Sequence, residues 1–192
     1  GMFYLWYIFF TSNFSFSLNL SNYKLSTFQW IIIISFFLLS TLLAIKTYLP
    51  ISAYDALTYH LAAPALYVKK NYLVDQPWNI WSYYPFGIEM FFTLILSIAP
   101  PKGTQFLSFL FGFLSSITIF FIARHFLNRT LSLLAATFFL SIPWIAKEAT
   151  IPYVETGLTF FLVISTYFFL QWIYTHQKYD FVYFALSLGF TC

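Results

Sequence analysis

The chain has 192 residues, of which 60% are hydrophobic, 25% aromatic and only 8% charged. Soluble domains carry roughly 25% charged residues, so an ordinary water-wetted globule is excluded. Apolar runs near the ~20 residues that cross ~30 Å of hydrocarbon point to an integral membrane protein. The net charge of +3 is scattered and offers no basic run for nucleic acid, and the single cysteine, Cys192, excludes an internal disulfide framework or a cysteine-held metal cluster.

Residues 2–10 are apolar and aromatic but too short to cross a bilayer, and a Ser/Asn-rich stretch follows them. Residues 1–26 together read as an N-terminal interfacial or cytoplasmic segment; the lack of an N-terminal positive charge argues against a signal peptide. The first span is residues 27–49, closed by Pro50, which lacks an N–H and clashes with the preceding turn. Within 51–84, Leu57, Leu61, Ala65 and Val68 recur at helical spacing, with Asp55, Thr58, Lys69 and Lys70 off that stripe. That pattern predicts a helix lying along the membrane surface, kinked or ended by Pro64. Trp78, Trp81, Tyr83 and Tyr84 then cluster as interfacial aromatics do.

Residues 85–99 are apolar but number only about fifteen and contain Glu89, a length that suits a non-crossing segment. Further spans are expected at 104–123, 130–146 and 156–175, and the run 181–192 is the truncated start of a fifth. Gly1 ahead of Met2 and this short last run read as the ends of an N-terminal piece of a longer polytopic protein. The expected fold is therefore all-α and polytopic. It has about four transmembrane helices and surface helices in a first outer loop at 50–103, all within one transmembrane domain at 27–192.

If 85–99 does not cross, Arg124, His125, Arg129, His176 and Lys178 fall on the side of Lys24. The positive-inside rule then makes that side cytoplasmic. Asp55, Asp75, Glu89, Glu148 and Glu155 all face the other, outer side, and Asp180 alone stays inside.

Ionisable residues beside the hydrocarbon are costly and are kept for a purpose. Asp55 follows the first span and Glu155 opens the last complete one, so both sit at one membrane depth although a hundred residues apart. Paired carboxylates suit a general base on an incoming hydroxyl or amine, and a holder of a divalent cation. Simpler roles stand beside these. Asp55 has the residue type that caps a helix. Glu155 has Lys147 and a helix N-terminus within reach. Glu89 has Lys102 as a partner, and His60 has the setting of an amphipathic anchor.

Three motifs in this order carry a resemblance: Asp55-Ala-Leu-Thr-Tyr-His-Leu-Ala-Ala-Pro64, Trp81-Ser-Tyr-Tyr-Pro-Phe-Gly-Ile-Glu89 and Tyr153-Val-Glu155. With the span pattern from about residue 28 onward, the chain resembles the membrane glycosyltransferases of the GT-C superfamily. It is most similar to the glycosyltransferase family 39-like proteins, relatives of protein O-mannosyltransferases and lipid A aminoarabinose transferases. The resemblance implies transfer of a sugar from a polyprenyl-phosphate donor to a lipid, glycan or protein acceptor, at the outer face of a bacterial inner membrane. It makes Asp55 the catalytic base and Glu155 a second catalytic acidic residue, with Tyr59, His60 and Glu89 binding substrate. Asp55 and Glu155 are its candidates for a divalent cation. Two departures stand out: Glu155 replaces the usual Asp, and Ala56 occupies the second position of an acidic pair. Later loops of the family add phosphate-binding residues, so this stretch alone is expected to be inactive.

The competing classes are a transporter component and a catalytically dead scaffold. Transporters place ionisable groups and broken helices near the bilayer midplane, whereas here the acids gather at the span ends. Pro143 is the exception, since a helix broken there around a polar cavity would favour transport.

Overall fold

The computed structural model describes residues 24–84 and 86–191. The expectations placed on residues 1–23, on Pro85 and on Cys192 lie outside the described residues. The described elements are all helical: α1 (Thr27–Lys46), a π-helical turn (Ala56–His60), α2 (Ala62–Lys70), a 3-10 turn (Ile80–Tyr83), α3 (Gly87–Ile98), α4 (Lys102–Arg124), α5 (Arg129–Ser141), α6 (Pro143–Glu148), α7 (Glu155–Thr175) and α8 (Lys178–Gly189).

Three of these, α1, α4 and α7, are long and apolar enough to cross a membrane. In α1 the Ser26 hydroxyl accepts from the Gln29 N–H while the Gln29 side chain accepts from the Ser26 N–H, a reciprocal cap that starts the helix cleanly. Its 20 residues reach about 30 Å. Only Ile32, Ser40 and Leu43 are buried, and large apolar side chains such as Ile34, Phe37 and Leu38 face outward, as they do when the solvent is lipid.

The centre of the bundle is α4, which packs against α1, α3, α5, α6 and α7. Its inward face is small and polar: Thr104, Ser108, Gly112, Ser115 and Ser116 are all buried. Small residues let membrane helices approach closely, since burying apolar bulk gains nothing against lipid. The Ser116 hydroxyl donates to the Ala136 carbonyl on α5, and a Cβ on Gly112 would lie 3.0 Å from Cβ of Ala149.

The expected fourth span, 130–146, is two helices. α5 has 13 residues, about 20 Å, and stops at Ile142, whose ψ of 122° is extended. Proline disfavours the α conformation in the residue before it and suits the first position of a new helix, so Pro143 ends α5 and starts α6. Residues 85–99 yield α3, whose 12 residues reach about 18 Å, well short of the hydrocarbon thickness.

The helix expected in 51–70 forms, but its buried face is not the predicted stripe. Leu57 is 50% exposed and Ala65 is also exposed, while Ala56, His60, Leu61, Ala63 and Pro64 are buried. The Leu61 N–H bonds the Ala56 carbonyl at 2.9 Å, one residue wider than an α-helical bond, and this extra residue rotates the face. Pro64 explains the position of the wide turn: it has no N–H for the His60 carbonyl and its ring would clash there. It neither kinks nor ends α2, but sits harmlessly in its first turn.

The two ends of the bundle are distinct. At one, the Gln29 amide donates to Thr130, and the His125 ring stacks on Tyr174. At the other, the buried Gln105 amide donates to the carbonyls of Thr47 and Leu49 at 2.8 and 2.9 Å, tying the last turn of α1 to the start of α4. In the non-crossing layout this second end carries five carboxylates, but also Lys46, Lys69, Lys70, Lys102 and Lys147. The nine Lys and Arg thus divide five to four. The positive-inside rule counts Lys and Arg rather than net charge, so the expectation that it orients the chain is corrected: it does not.

Removing both bonds of Gln105 strands two carbonyls in a dry setting. Gln105→Ala is expected to destabilise the bundle by roughly 2–4 kcal/mol, read as a lower thermal midpoint in detergent. Thr41→Val, which removes a hydroxyl bonded only within its own helix on an exposed face, should cost far less.

Candidate functional site

A cavity of about 440 Å³ opens at the Gln105 end, between the π-helical turn, the 3-10 turn, the start of α3, the start of α7 and the end of α8. Tyr59, His60, Glu89 and Glu155 line it together, although the sequence spreads them over nearly a hundred residues. Asp55 is not in the lining. It is half-buried one turn earlier on the same helix, close enough that its charge, with that of Glu155, acts on both Tyr59 and Tyr153.

The π turn and α3 together build the centre of the site. His60 Nδ1 lies 2.9 Å from Glu89 Oε1, and both side chains are 7% exposed. Glu89 is in the first turn of α3, where helix geometry favours negative charge. A carboxylate only accepts hydrogen bonds, so the ring proton is on Nδ1 and Nε2 is left for the cavity. His60 is therefore not an amphipathic anchor, and Glu89 is paired with it rather than with Lys102. The His60 ring also packs against Tyr59 at 4.2 Å and Tyr153 at 5.6 Å between centroids, and Tyr59 stacks on Trp81 at 5.2 Å.

Of the simpler roles for the other two acids, one stands: Glu155 lies in the first turn of α7, where the helix N-terminus favours its charge. Asp55 makes no side-chain capping bond, because its own backbone is already helical and the chain turns before it. Glu155 does not pair with Lys147, whose ammonium lies 3.8 Å from Glu148 and over the Trp144 ring. Glu155 is the first residue of α7 and exposed to the cavity. Gly157, one turn into α7, packs on Ile88 of α3: a Cβ there would fall 2.7 Å from Ile88 Cδ1 and force that side chain to move.

The local field is negative. Burial first, then Asp55 and Glu155, push the Tyr59 phenol above its ordinary pKa; burial, then Asp55, Glu148 and Glu155, do the same to Tyr153. Both phenols are neutral hydrogen-bond donors at neutral pH. Asp75, the remaining acid of the first loop, accepts from the Tyr83 hydroxyl at 2.7 Å and tightens that loop.

No family model, curated protein or solved structure matches the chain. Its site must be read from its own geometry.

Among the described residues no group of three or more His, Cys, Asp or Glu side chains converges as metal ligands, so a divalent cation at Asp55 and Glu155 would need oxygens of a substrate phosphate to complete its shell.

Sequence reasoning did not single out Glu148. It is 2% exposed, neither carboxylate oxygen has a hydrogen-bond partner among the described residues, and Lys147 is its ion-pair partner. An acid in an apolar run just past a proline break was the available signal. The contributions of Phe190 and Thr191 to the cavity carried no such signal.

Burial, reinforced by Glu155 and partly offset by Lys147 and His60, raises the Glu148 carboxyl above its usual range. A group whose folded pKa is raised contributes stability below its unfolded pKa, about 4.3, and loses it as pH rises through the folded value. Glu148→Gln should therefore raise the thermal midpoint at pH 8 and leave it nearly unchanged near pH 4. An equal effect at both pH values would contradict this placement of the charge. Gly157→Val should force α7 off α3, costing roughly 1–3 kcal/mol as overpacking does and disrupting the cavity.

Proposed function

We propose that this is the acceptor-activating end of a membrane glycosyltransferase that moves a sugar from a polyprenyl-phosphate donor to a lipid, glycan or protein acceptor. The observation that carries the reading is the convergence of Glu155, Tyr59 and the His60–Glu89 pair on one aromatic-walled cavity at one end of the bundle, with Asp55 one turn before Tyr59 and close enough for its charge to act on it. Cavities of this kind, apolar with a few convergent polar groups, are the usual form of small-molecule sites. The flat faces of Trp81 and Tyr59 suit the C–H face of a sugar ring, and the carboxylates suit its hydroxyls.

In this reading Asp55 takes the proton of the acceptor hydroxyl or amine as that atom attacks the anomeric carbon. The bond from that carbon to the phosphate oxygen breaks, its electron pair leaves with the phosphate, and in-line attack inverts the centre. Glu155 binds and orients the acceptor at the cavity mouth. Residues 130–146, in α5 and the start of α6, supply the fourth crossing, broken at Ile142, and the cavity faces outward from a bacterial inner membrane.

The break at Pro143 is the feature that would favour a transporter, but the cavity is lined by none of residues 141–148. The polar groups gather at the end of the helices rather than at their middle, which favours transfer at the interface.

Asp55→Asn in the protein expressed in its native membrane should lower sugar transfer by at least 100-fold, the scale of a lost general base, with unchanged expression. Wild-type transfer by that variant would overturn the assignment. Orientation is checked separately, in a Cys192→Ser background, with Lys70→Cys and Leu127→Cys. Both positions are exposed, and an impermeant thiol reagent added outside should label the first and not the second.

A further inference from the structure

We infer that His60, held by Glu89 with its Nε2 toward the cavity, binds the departing phosphate as an imidazolium, and that Glu89 is its positioning residue. This rests on the transfer reading above and names the partner of the leaving group within it. The departing phosphate brings negative charge into a cavity lined by Glu89 and Glu155, with Asp55 close beside it. Of the described residues lining the cavity, none is Lys or Arg, and His60 is the one side chain there able to carry positive charge.

Carboxylates and phenols surround the ring. Around His60 are Tyr59 beside it and Asp55 one turn earlier on its own helix, Glu89 from α3, Glu148 from α6, Tyr153 from the link before α7, and Glu155 from α7, which shares the cavity lining. Four are carboxylates, and the nearest lies 2.9 Å from Nδ1. Lys147 is the opposing charge and is drawn to Glu148 at 3.8 Å. The Glu89 bond fixes the ring so that its second N–H points where a ligand can take it, as a carboxylate does for an imidazole in many sites.

In the transfer step the acceptor oxygen bonds to the anomeric carbon and its proton goes to Asp55. The carbon–phosphate oxygen bond breaks, and the Nε2–H of His60 hydrogen-bonds the phosphate that carries off the electron pair. His60 keeps its proton, and no other reactant is required.

The test uses farnesyl phosphate as the probe, titrated into the detergent-solubilised protein with its three histidines labelled for NMR. One imidazole signal, absent from His60→Gln, is expected to move on binding and to titrate at higher pH with the probe present. Both His60→Gln and Glu89→Gln should weaken binding roughly ten- to a hundredfold, the scale of one charge-assisted hydrogen bond. In Glu89→Gln, which keeps the shape and an acceptor oxygen and so disturbs folding less, the imidazole signal should move less on addition of the probe. Asp55→Asn should bind the probe at least as tightly as the wild type. Unchanged affinity in both His60→Gln and Glu89→Gln, or a His60 signal blind to the probe, overturns the inference. Binding through His60 without sugar transfer would remove the transfer reading and leave this inference standing; transfer undiminished in His60→Gln would do the reverse.

Discussion

The amide of Gln105 clasps the chain just past α1 to the start of α4, beside the cluster of Leu43, Phe109 and Leu140 and the stacked rings of Phe36 and Phe113. The last carbonyls of α1, those of Leu43, Ala44, Ile45 and Lys46, are taken by the N–H groups of Thr47, Tyr48 and Leu49, which leaves the carbonyls of Thr47 and Leu49, just past the helix, for a side chain. By donating to Thr47 and Leu49, Gln105 closes that end and fixes where residue 50 leaves the membrane. Everything between α1 and α4 is hung from this point. The π turn and α3 are then close enough to pair His60 with Glu89, and α4 in turn presents the small-residue face on which α5, α6 and α7 converge. The site is thus built on a polar clasp, because apolar burial has little holding power among helices already surrounded by lipid.

A second constraint is steric. Pro64 cannot be hydrogen-bonded to the turn before it, and the chain answers by widening that turn to a π helix. The extra residue puts Ala56 and His60 inside and Leu57 outside. A regular α-helix through the same residues would have followed the apolar stripe, placing Leu57 and Leu61 inward and turning His60 away from Glu89. The proline and the histidine of Asp55-Ala-Leu-Thr-Tyr-His-Leu-Ala-Ala-Pro64 are therefore one device, in which the first creates the local geometry that the second uses. On α7 the absence of a side chain at Gly157 leaves room for Ile88 of α3 to pack there.

How far this was legible follows from the range of each interaction. Span-length apolar runs at 27–49, 104–123 and 156–175 are local signals, and α1, α4 and α7 stand where they indicated. The short run at 85–99 gave a helix too short to cross. The run at 130–146 misled because hydropathy does not register a proline that keeps the composition apolar while it breaks the helix. The buried face of 51–70 misled because periodicity assumes a constant turn, and the π turn is not constant. For the site, residue type singled out Asp55, Tyr59, His60, Glu89 and Glu155, and four of them line one cavity. Their pairing was out of reach: His60 with Glu89 and Lys147 with Glu148 depend on tertiary packing. The lysines Lys46, Lys69, Lys70, Lys102 and Lys147 were legible throughout, and counting them removes the charge argument for orientation.

The four carboxylates around the cavity differ in what their surroundings do with the charge, and that difference sorts their roles. Glu89 is buried but has an imidazole within hydrogen-bond distance, so its charge is already committed to holding a ring. Glu148 is buried deeper, with a lysine at ion-pair distance and no hydrogen bond among the described residues, so burial opposes its ionisation. A group in that state neither binds a proton from substrate readily nor meets substrate at all. Asp55 is half-buried without a capping bond and Glu155 is exposed at the cavity, so each retains lone pairs for a ligand. A base must be within reach of the proton it takes, and geometry comes before affinity in choosing one. The proposed transfer therefore has Asp55 and Glu155 as its candidate carboxylates. Asp55 lies half-buried beside the cavity, where its charge acts on Tyr59 and Tyr153, and Glu155 stands exposed in the lining at the start of α7, where it would meet an incoming acceptor.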